Sequence, residues 1–394
     1  MPNYLDDGDM VYIGKSDDAE LARSRLKAND VLLTITGVSY GKSAVVPSEY
    51  AGSNINQHSV RMTLRPGKLK PVFVSTFLNS RQGKMLSDQN ITGGTRPALD
   101  YEAIKQFRIP LASDRLQHAI ESTVHIAQER LKSAKALVQT AEIRLLAFIG
   151  LATWTPPQPL TYIRRASDVL AAGRFDADYF SPEKLYAIER LGRAKSRRLG
   201  EVVASMRDMY NPAEAATAEM VRNFDVTDAL QPELTDETLP TPGVQLGSIK
   251  KRMQPGDVAI SRLRSYLREI AVVRTTTSVP TVGSSEFIVL RPKVGHSLSA
   301  GALLVFLRSE PVQAILRWCR DGSQHPRFAE DDLLAIPVPE RVWEVSDQLD
   351  NLVNASFESR RRARELLERA KRAVEIAIEE SEDRALRYLD QAPP

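Results

Sequence analysis

The sequence predicts an α+β fold in which an antiparallel pair of long coiled-coil helices separates two strand-rich modules. Two observations lead to this prediction. Two long segments carry apolar seams at coiled-coil spacing, and the chain repeats itself at an offset of about 227 residues. The repeat places one strand-rich segment before each long helix.

The first long helix is predicted over residues 113–151. Ser113 is a suitable N-cap after Pro110, and Gly150 is a suitable C-terminal stop. A helix of this length spans about 50 Å. Its seam steps alternate four and three residues, through Ile120, Val124, Ala127, Leu131, Ala134, Val138, Ala141, Leu145 and Phe148.

The second long helix is predicted over residues 341–388, after Pro337 and Pro339. Periodicity alone also fits two helices of an ordinary bundle, so the segments before each helix decide the interpretation. The seam of this helix includes Leu349, Leu352, Ala363, Leu367, Ala370, Val374 and Ala377.

The internal repeat consists of short matches that stay in the same order. Because chance would not keep them collinear, we interpret the chain as two copies of one module. The matches are NDVL 29–32 with GDVA 256–259, AVV 44–46 with 271–273, LRP 64–66 with 290–292, FLNS 77–80 with FLRS 306–309, GGTRP 93–97 with GSQHP 322–326, and IP 109–110 with VP 338–339.

Each copy combines strands with short helices. In copy one, strands are predicted over residues 30–36, 42–46 and 59–64, and helices over 71–85 and 100–107. Copy two follows the same order, and Pro311 is expected to kink or divide its helix 300–319. The predicted layout is a first module 1–112, a helix 113–151, a proline-rich linker 152–160, a second module 161–340 and a helix 341–388.

The two copies differ at their beginnings. Copy two has a lead from residue 160 to about 228, whereas Met1 aligns near Asp228 and leaves copy one without a counterpart. Either the first module is naturally short, or it is N-terminally incomplete and the chain begins upstream of Met1. The sequence leaves both open.

Composition narrows the location and the partners. The single cysteine, Cys319, excludes a disulfide framework and a multi-cysteine zinc site. The acidic N-terminus is not a signal peptide and no apolar run is long enough for a bilayer, so we expect a cytoplasmic protein without a membrane partner. Basic residues outnumber acidic ones by nine to three over 54–108 and by seven to two over 243–275. These two blocks predict two electropositive surfaces.

These features resemble the specificity (S) subunit of type I restriction-modification systems. The residues that carry the resemblance are the strand and turn 29–41, the helix ending FLNS 77–80, the loop GGTRP 93–97 and the Ile-Pro or Val-Pro exits into long helices. The stretch RFDADYF 174–180 also resembles the lead of such modules. The resemblance covers nearly the whole chain.

The resemblance implies a non-catalytic subunit with two target-recognition domains. Each domain would read one half of a bipartite sequence in double-stranded DNA, and the helix pair would hold the domains apart. Two methyltransferase (M) subunits would dock on the chain, and restriction/translocase (R) subunits would join for cleavage. No cofactor is expected.

Two catalytic motifs are approached but not met. The stretch GVSYGKS 37–43 has one residue too few between its glycines for a phosphate loop, and a predicted strand follows it instead of a helix. The stretch NPAE 211–214 lacks the second Pro and the aromatic residue of an adenine methyltransferase motif. His118 and His125 are interpreted as packing or solvent residues, so neither a catalytic nor a metal site is predicted.

DNA reading needs donors that reach base edges and cations that reach phosphates. Both copies offer such side chains in turns or at strand ends. The candidates in copy one are Ser39, Tyr40, Lys42, Asn56, Gln57, His58, Thr95 and Arg96, and those in copy two are Arg262, Arg264, Tyr266, Arg268, Gln324, His325 and Arg327.

Two other functions stay open at this point. The chain is alternatively a coiled-coil adaptor that binds protein, which salt-sensitive DNA binding would distinguish. It is also alternatively the recognition fragment of a fused methyltransferase-specificity enzyme, which the genomic sequence upstream of Met1 would reveal.

Overall fold

The computed structural model describes residues 11–37, 39–93, 98–193, 195–216, 218–293, 298–322 and 324–391. The chain divides into two compact units. Unit 1 comprises Met1–Ala134 and Glu358–Pro394, and unit 2 comprises Lys135–Phe357.

Helices and mostly antiparallel sheets alternate along the chain, which confirms the α+β class. The helices of the described residues are α1 Lys15–Glu20, α2 Pro71–Leu78, α3 Arg81–Gln89, α4 Tyr101–Lys105, α5 Asp114–Phe148, α6 Ala166–Ala172, α7 Pro182–Gly192, α8 Leu199–Val202, α9 Ala300–Arg308, α10 Glu310–Trp318, α11 Glu330–Leu334, α12 Arg341–Glu344, α13 Ser346–Glu379 and α14 Glu382–Asp390.

The strands of the described residues are β1 Val31–Thr34, β2 Ser43–Val45, β3 Ser59–Met62, β4 Ile91–Thr92, β5 Ala98–Leu99, β6 Ser196–Arg198, β7 Val203–Met206, β8 Met209–Tyr210, β9 Met220–Phe224, β10 Glu233–Leu234, β11 Thr241–Pro242, β12 Lys250–Met253, β13 Val258–Ser261, β14 Ile270–Val273, β15 Thr281–Gly283, β16 Phe287–Pro292 and β17 Pro337–Pro339.

Unit 1 is built around a small antiparallel sheet of order β2-β1-β3. Val31 and Leu33 on β1 are buried because alternate residues of a strand share one face. The helix α2 supplies the opposing apolar surface through Phe73 and Phe77. The resulting core also includes Leu116 and the seam residues Ile120, Val124, Ala127, Ala363, Leu367, Ala370 and Val374.

Within unit 1, the first long helix and the residue before it contact α13 and α14. Near the beginning of α5, the amide of Ser113 donates to the carboxylate of Glu382 (3.0 Å). Further along, the hydroxyl of Ser359 donates to the carbonyl of Arg130 (2.9 Å). The residue number therefore rises from Ser113 to Arg130, whereas that of the contacted residue falls from Glu382 to Ser359.

Unit 2 contains two five-stranded sheets, of order β10-β14-β13-β16-β7 and β11-β9-β15-β12-β8. The helices α9 and α10 bury Leu303, Phe306 and Ile315 in the core beneath the first sheet. Ala141 and Leu145 of α5, and Leu349 and Val353 of α13, belong to the same core.

The internal repeat has the same strand register in both copies. Val31 faces Val45 in one and Val258 faces Val272 in the other, an offset of 227 at both positions (258 − 31 and 272 − 45). The third strands also correspond, because β1 pairs with β3 and β13 pairs with β16 in antiparallel fashion. The matches seen in the sequence therefore mark one repeated three-stranded scaffold.

Several predicted helices are divided in the structure. The segment 71–85 becomes α2 and α3, because Ser80 caps α3 through its hydroxyl. The helix 300–319 is divided at Ser309, two residues before Pro311. The segment 341–388 is not one uninterrupted helix but α12, α13 and α14, since the side chain of Ser381 caps a new start at Glu382.

Within the described ranges, no helix combines the length and the apolar character needed to cross a bilayer.

Candidate nucleic-acid interface

Each copy holds its main turn by the same backbone hydrogen bonds. In unit 1, the amide of Ile35 donates to the carbonyl of His58 (2.9 Å), and the amide of Leu99 donates to the carbonyl of Ile35 (2.8 Å). In unit 2, the amide of Arg262 donates to the carbonyl of Glu286 (3.0 Å), and the amide of Phe328 donates to the carbonyl of Arg262 (3.2 Å). Three separate chain segments therefore meet at each turn, which brings residues distant in sequence to one place.

The two turns share an unusual backbone conformation. Gly37 and Gly41 have φ of 75° and 80° in unit 1. The positions 227 residues later are Arg264 and Arg268, with φ of 49° and 51°. Residues other than glycine rarely adopt this left-handed region. Two arginines at such positions are held there by their surroundings, as is often seen at functional sites.

Glu286 binds two of the candidate arginines in unit 2. Its carboxylate accepts from Nε of Arg262 (3.0 Å) and from Nη2 of Arg327 (2.7 Å). The hydrogen bond from Arg327, with help from Arg262, lowers the pKa of Glu286 to about 2. The side chains of Arg262 and Arg327 remain 44% and 41% exposed, and that of Glu286 is 23% exposed. We call these three residues the Arg–Glu–Arg triad.

Arg264 and His325 lie beside the triad. Nη2 of Arg264 is 3.1 Å from Nδ1 of His325, and Nη1 of Arg327 donates to the carbonyl of His325 (3.0 Å). Tyr266, at the apex of the turn, is 54% exposed. Gln324 is also exposed. This edge of unit 2 therefore combines cationic, aromatic and amide side chains that solvent can reach.

Arg268 has a different environment from the other candidates in unit 2. It forms an ion pair with Glu310 and donates to the carbonyl of Arg308 (3.3 Å). In return, Arg308 donates to the carbonyl of Arg268 (3.2 Å). These contacts fasten the end of the turn to the junction of α9 and α10.

In unit 1, the candidates Lys42 and His58 contact neighbouring hydroxyl groups and are exposed. Nζ of Lys42 donates to the hydroxyl of Ser39 (3.3 Å), and Nδ1 of His58 lies 2.6 Å from Oγ1 of Thr36. Lys42, Asn56, Gln57 and His58 are exposed. Thr95 and Arg96 lie outside the described residues.

Tyr40 forms part of a contact with α3. Its hydroxyl donates to the carboxylate of Asp88 (2.7 Å), and Nζ of Lys84 lies 3.8 Å from the centre of its ring. Hydrogen bonds from Lys84 and from Tyr40 lower the pKa of Asp88. The aromatic ring of Tyr40 is therefore engaged with the helix rather than presented alone to solvent.

The turn 37–43 also lacks the geometry of a phosphate loop. The strand β2 begins at Ser43, so no helix N-terminus follows the glycines. In addition, the amide of Gly41 donates to the carbonyl of Thr34 (2.8 Å), which closes the turn on its own strand. His118 and His125 on α5 are both exposed.

Sequence reasoning missed Glu286, Lys84 and Asp88. The repeat contained a signal for Glu286, because His58, itself a candidate, occupies the equivalent position at an offset of 228. No comparable signal pointed to Lys84 and Asp88, whose role depends on where α3 packs. Over the described part of the chain, no cluster of three or more His, Cys, Asp or Glu residues is arranged to hold a metal ion.

Comparisons with solved structures identify similar chains. The first is the HsdS subunit from Thermoanaerobacter tengcongensis, with 18% identity and a TM-score of 0.29, covering 88% of this chain and 82% of that one. The second is the type I restriction-modification S subunit from M. genitalium, with 15% identity and a TM-score of 0.31, covering 93% and 84%.

The chain is similar to type I specificity subunits. A further similar chain, from work on complex assembly and conformational transition of the type I R-M system, has 19% identity and a TM-score of 0.31, covering 92% of this chain and 82% of that one. No protein-family model matches the sequence. No curated protein matches it either.

Proposed function

We propose that this chain is a non-catalytic specificity subunit that binds DNA and directs a type I restriction-modification complex to a bipartite target. The observation that carries the proposal is the duplicated strand scaffold, in which β1 and β13 pair in the same register. The turns on these scaffolds carry different polar side chains. Two readers with one backbone and different side chains are suited to two different half-sites.

The chemistry of the two turns supports contact with duplex DNA. Unit 2 presents Arg262, Arg264 and Arg327, and unit 1 presents Lys42 and the candidates around His58. Arginine donates to guanine in the major groove, and lysine neutralises phosphates. The proposed site consists of Ser39, Tyr40, Lys42, Gln57, His58, Thr95, Arg96, Arg262, Arg264, Tyr266, Arg268, Gln324, His325 and Arg327.

The proposed domain layout assigns a reading or spacing role to each segment. Residues 1–112 and 161–340 form the target-recognition domains, and 152–160 is a linker. Residues 113–151 and 341–388 form an antiparallel coiled-coil spacer. The burial of Ile120, Val124, Ala363 and Leu367 within unit 1 supports a helix-helix seam there.

The partners follow from this role. A non-catalytic specificity subunit must recruit its chemistry, so we propose docking of two methyltransferase (M) subunits for adenine methylation and of restriction/translocase (R) subunits for cleavage. This assembly would work on double-stranded DNA in the cytoplasm. It would do so without a cofactor bound to this chain.

A module exchange tests the proposal. The full chain is co-expressed with the adenine methyltransferase of its own genome that copurifies with it, and the methylated motif is sequenced. Replacing residues 1–112 with the first module of another specificity subunit should change one half-site and leave the other intact. An unchanged motif, or a change in both half-sites, would refute the proposed division of labour.

The spacer is tested by helix length. Inserting four residues into both long helices lengthens each by about 6 Å. The unmethylated spacer between the half-sites should then grow, while both half-sites keep their sequences. A spacer of unchanged length would contradict the role assigned to residues 113–151 and 341–388.

Salt dependence distinguishes this function from that of a protein-binding adaptor. A DNA reader that neutralises phosphates releases counterions, so its affinity falls steeply as salt rises. Fluorescence anisotropy with a labelled duplex at several salt concentrations measures this slope. An adaptor would bind the duplex weakly at every salt concentration.

A further inference from the structure

Glu286 fixes two guanidinium groups on the exposed turn of unit 2. Nε and Nη2 of Arg327 both donate to its carboxylate, at 3.0 and 2.7 Å. Nε of Arg262 donates to the same carboxylate at 3.0 Å. Both forks are thereby oriented by one acceptor, while each arginine keeps more than a third of its side chain exposed.

The repeated scaffold does not require the triad. The equivalent positions in unit 1 are Ile35, His58 and Ala98, at offsets of 227, 228 and 229. The backbone hydrogen bonds at these positions are nevertheless the same in both units. Because the turn forms with or without these charges, folding of the turn does not explain why the triad is present.

The triad is chemically complementary to one base pair. In the major groove, guanine presents the acceptors O6 and N7, and cytosine presents the donor N4–H. Arginine supplies donors for guanine, and a carboxylate, which only accepts, suits cytosine. A side-by-side arginine and glutamate therefore match the edge of a G·C pair.

We infer that Glu286 is a specificity-determining residue of the second module, which orients Arg262 and Arg327 to read a G·C pair in the second half-site. The inference rests on the proposed function. Glu286 acts both by accepting from cytosine and by holding the arginine forks toward the base edge. A carboxylate beside the DNA also repels phosphates, so it lowers the affinity for unrelated sequences.

This role predicts opposite effects on specific and nonspecific binding. Glu286→Gln keeps the size of the side chain but removes its charge. Discrimination between the G·C pair and an A·T replacement should fall at least about fivefold, because one good base contact contributes roughly that much or more. The affinity for an unrelated duplex should rise, with a log–log salt slope steeper by up to about one unit.

A matched control is present in the same unit. Glu340 also binds two basic side chains, Nζ of Lys195 (3.0 Å) and Nε of Arg197 (3.3 Å), and its side chain is 27% exposed. It lies where β6 pairs with β17, outside the turn. Glu340→Gln therefore removes a similar charge from a similar ion cluster and should leave both discrimination and the choice of half-site unchanged.

The experiment uses the full chain in its methyltransferase complex. Duplexes selected from a randomised pool define the wild-type target, and anisotropy then measures binding to single-position replacements. Glu286→Asp keeps the charge and should keep the wild-type salt slope. Thermal melting of each variant measures its folding.

Each outcome decides the inference. Loss of discrimination at a G·C pair of the second half-site, together with tighter nonspecific binding, supports it. It is overturned if Glu286→Gln discriminates as the wild type does, if it weakens all duplexes equally, or if the second half-site has no G·C pair. If the wild-type complex selects no bipartite target, the proposed function itself fails, which is a separate result.

Discussion

Asp30 and Asp257, which immediately precede the two repeated strands β1 and β13, allow a sharp prediction about stability. They occupy equivalent positions, and the side chain of each is only 1% exposed. Each accepts from a backbone amide three residues earlier, Lys27 (2.7 Å) and Gln254 (2.8 Å) respectively. Their remaining partners differ, so the same substitution should have different costs.

Asp257 faces an arginine. Its two oxygens accept from Nε (2.7 Å) and Nη2 (2.9 Å) of Arg291. An asparagine at this position turns its NH2 group toward either the guanidinium or the amide of Gln254, and both are donors. One charge-assisted hydrogen bond is therefore lost, a cost of about 1.5–3 kcal/mol. Because Arg291 is 33% exposed and regains water, we expect about 2 kcal/mol.

Asp30 faces a hydroxyl instead. Its Oδ1 accepts from Oγ1 of Thr63 (2.6 Å), and Nε of Arg61 is 3.8 Å from Oδ2. A hydroxyl can accept as well as donate, so Thr63 reverses its hydrogen bond to serve the NH2 group of an asparagine. Only the attraction of the half-exposed Arg61 is lost, which we place at about 0.5 kcal/mol.

Native-state hydrogen exchange with mass spectrometry measures the two units separately. In Asp257→Asn, amides of β13 should exchange about 30-fold faster, since each 1.4 kcal/mol corresponds to a factor of ten. In Asp30→Asn, amides of β1 should exchange about twofold faster. Glu102→Gln, in an exposed ion pair with Lys105, serves as a control with no measurable effect. Equal losses in the two repeats, or a larger loss in β1, would refute the reasoning.

Three further changes have defined outcomes. Burial lowers the pKa of Lys184, whose Nζ lies 3.0 Å from the centre of the Tyr179 ring. Lys184→Met should therefore raise the melting temperature at pH 7, and this gain should shrink as the pH rises toward the ordinary lysine pKa. A gain that does not depend on pH would contradict this prediction. Gly301→Ala would place Cβ 2.5 Å from Oδ1 of Asp350. Urea unfolding should therefore show that the free energy of unfolding falls by about 1–3 kcal/mol. An unchanged unfolding midpoint would contradict this prediction and would mean that α9 shifts without cost. Folding lowers the pKa of Glu286 from 4.5 to about 2, so its ion pairs stabilise the protein above pH 4.5. The difference in unfolding free energy between the wild type and Glu286→Gln should therefore disappear as the pH falls from 4.5 to 2. A difference that persists at pH 2 would refute this prediction.

The sequence predicted those elements whose signal is local. Alternation identified β3, and the apolar seam identified α5 within three residues at each end. Helix ends that depend on a single cap were less accessible. The hydroxyls of Ser80 and Ser309 each lie 2.6 Å from the carbonyl of a phenylalanine three residues earlier, and each marks a break between helices. Periodicity does not register such a cap, so α2 and α3 were merged into one predicted helix, whereas Pro311 already indicated the division between α9 and α10.

The candidate site was only partly predictable for a different reason. Arg262, Glu286 and Arg327 are 24 and 41 residues apart, and they meet because Ser261 pairs with Phe287 in the β13–β16 ladder. A strand register follows from long-range packing, so no local pattern shows which arginine is bound to which carboxylate. The same limit applies to Arg268, whose partner Glu310 begins α10.

The repeat partly overcomes this limit, because it compares two solutions built on one backbone. Where both copies keep a residue, as at Asp30 and Asp257, the scaffold itself requires it, and both side chains accept from the backbone. Where the copies differ at a conserved backbone position, as at His58 and Glu286, the fold does not dictate the side chain. Under the proposed function, such positions are available to specify a target, and different side chains on one backbone would read two different half-sites.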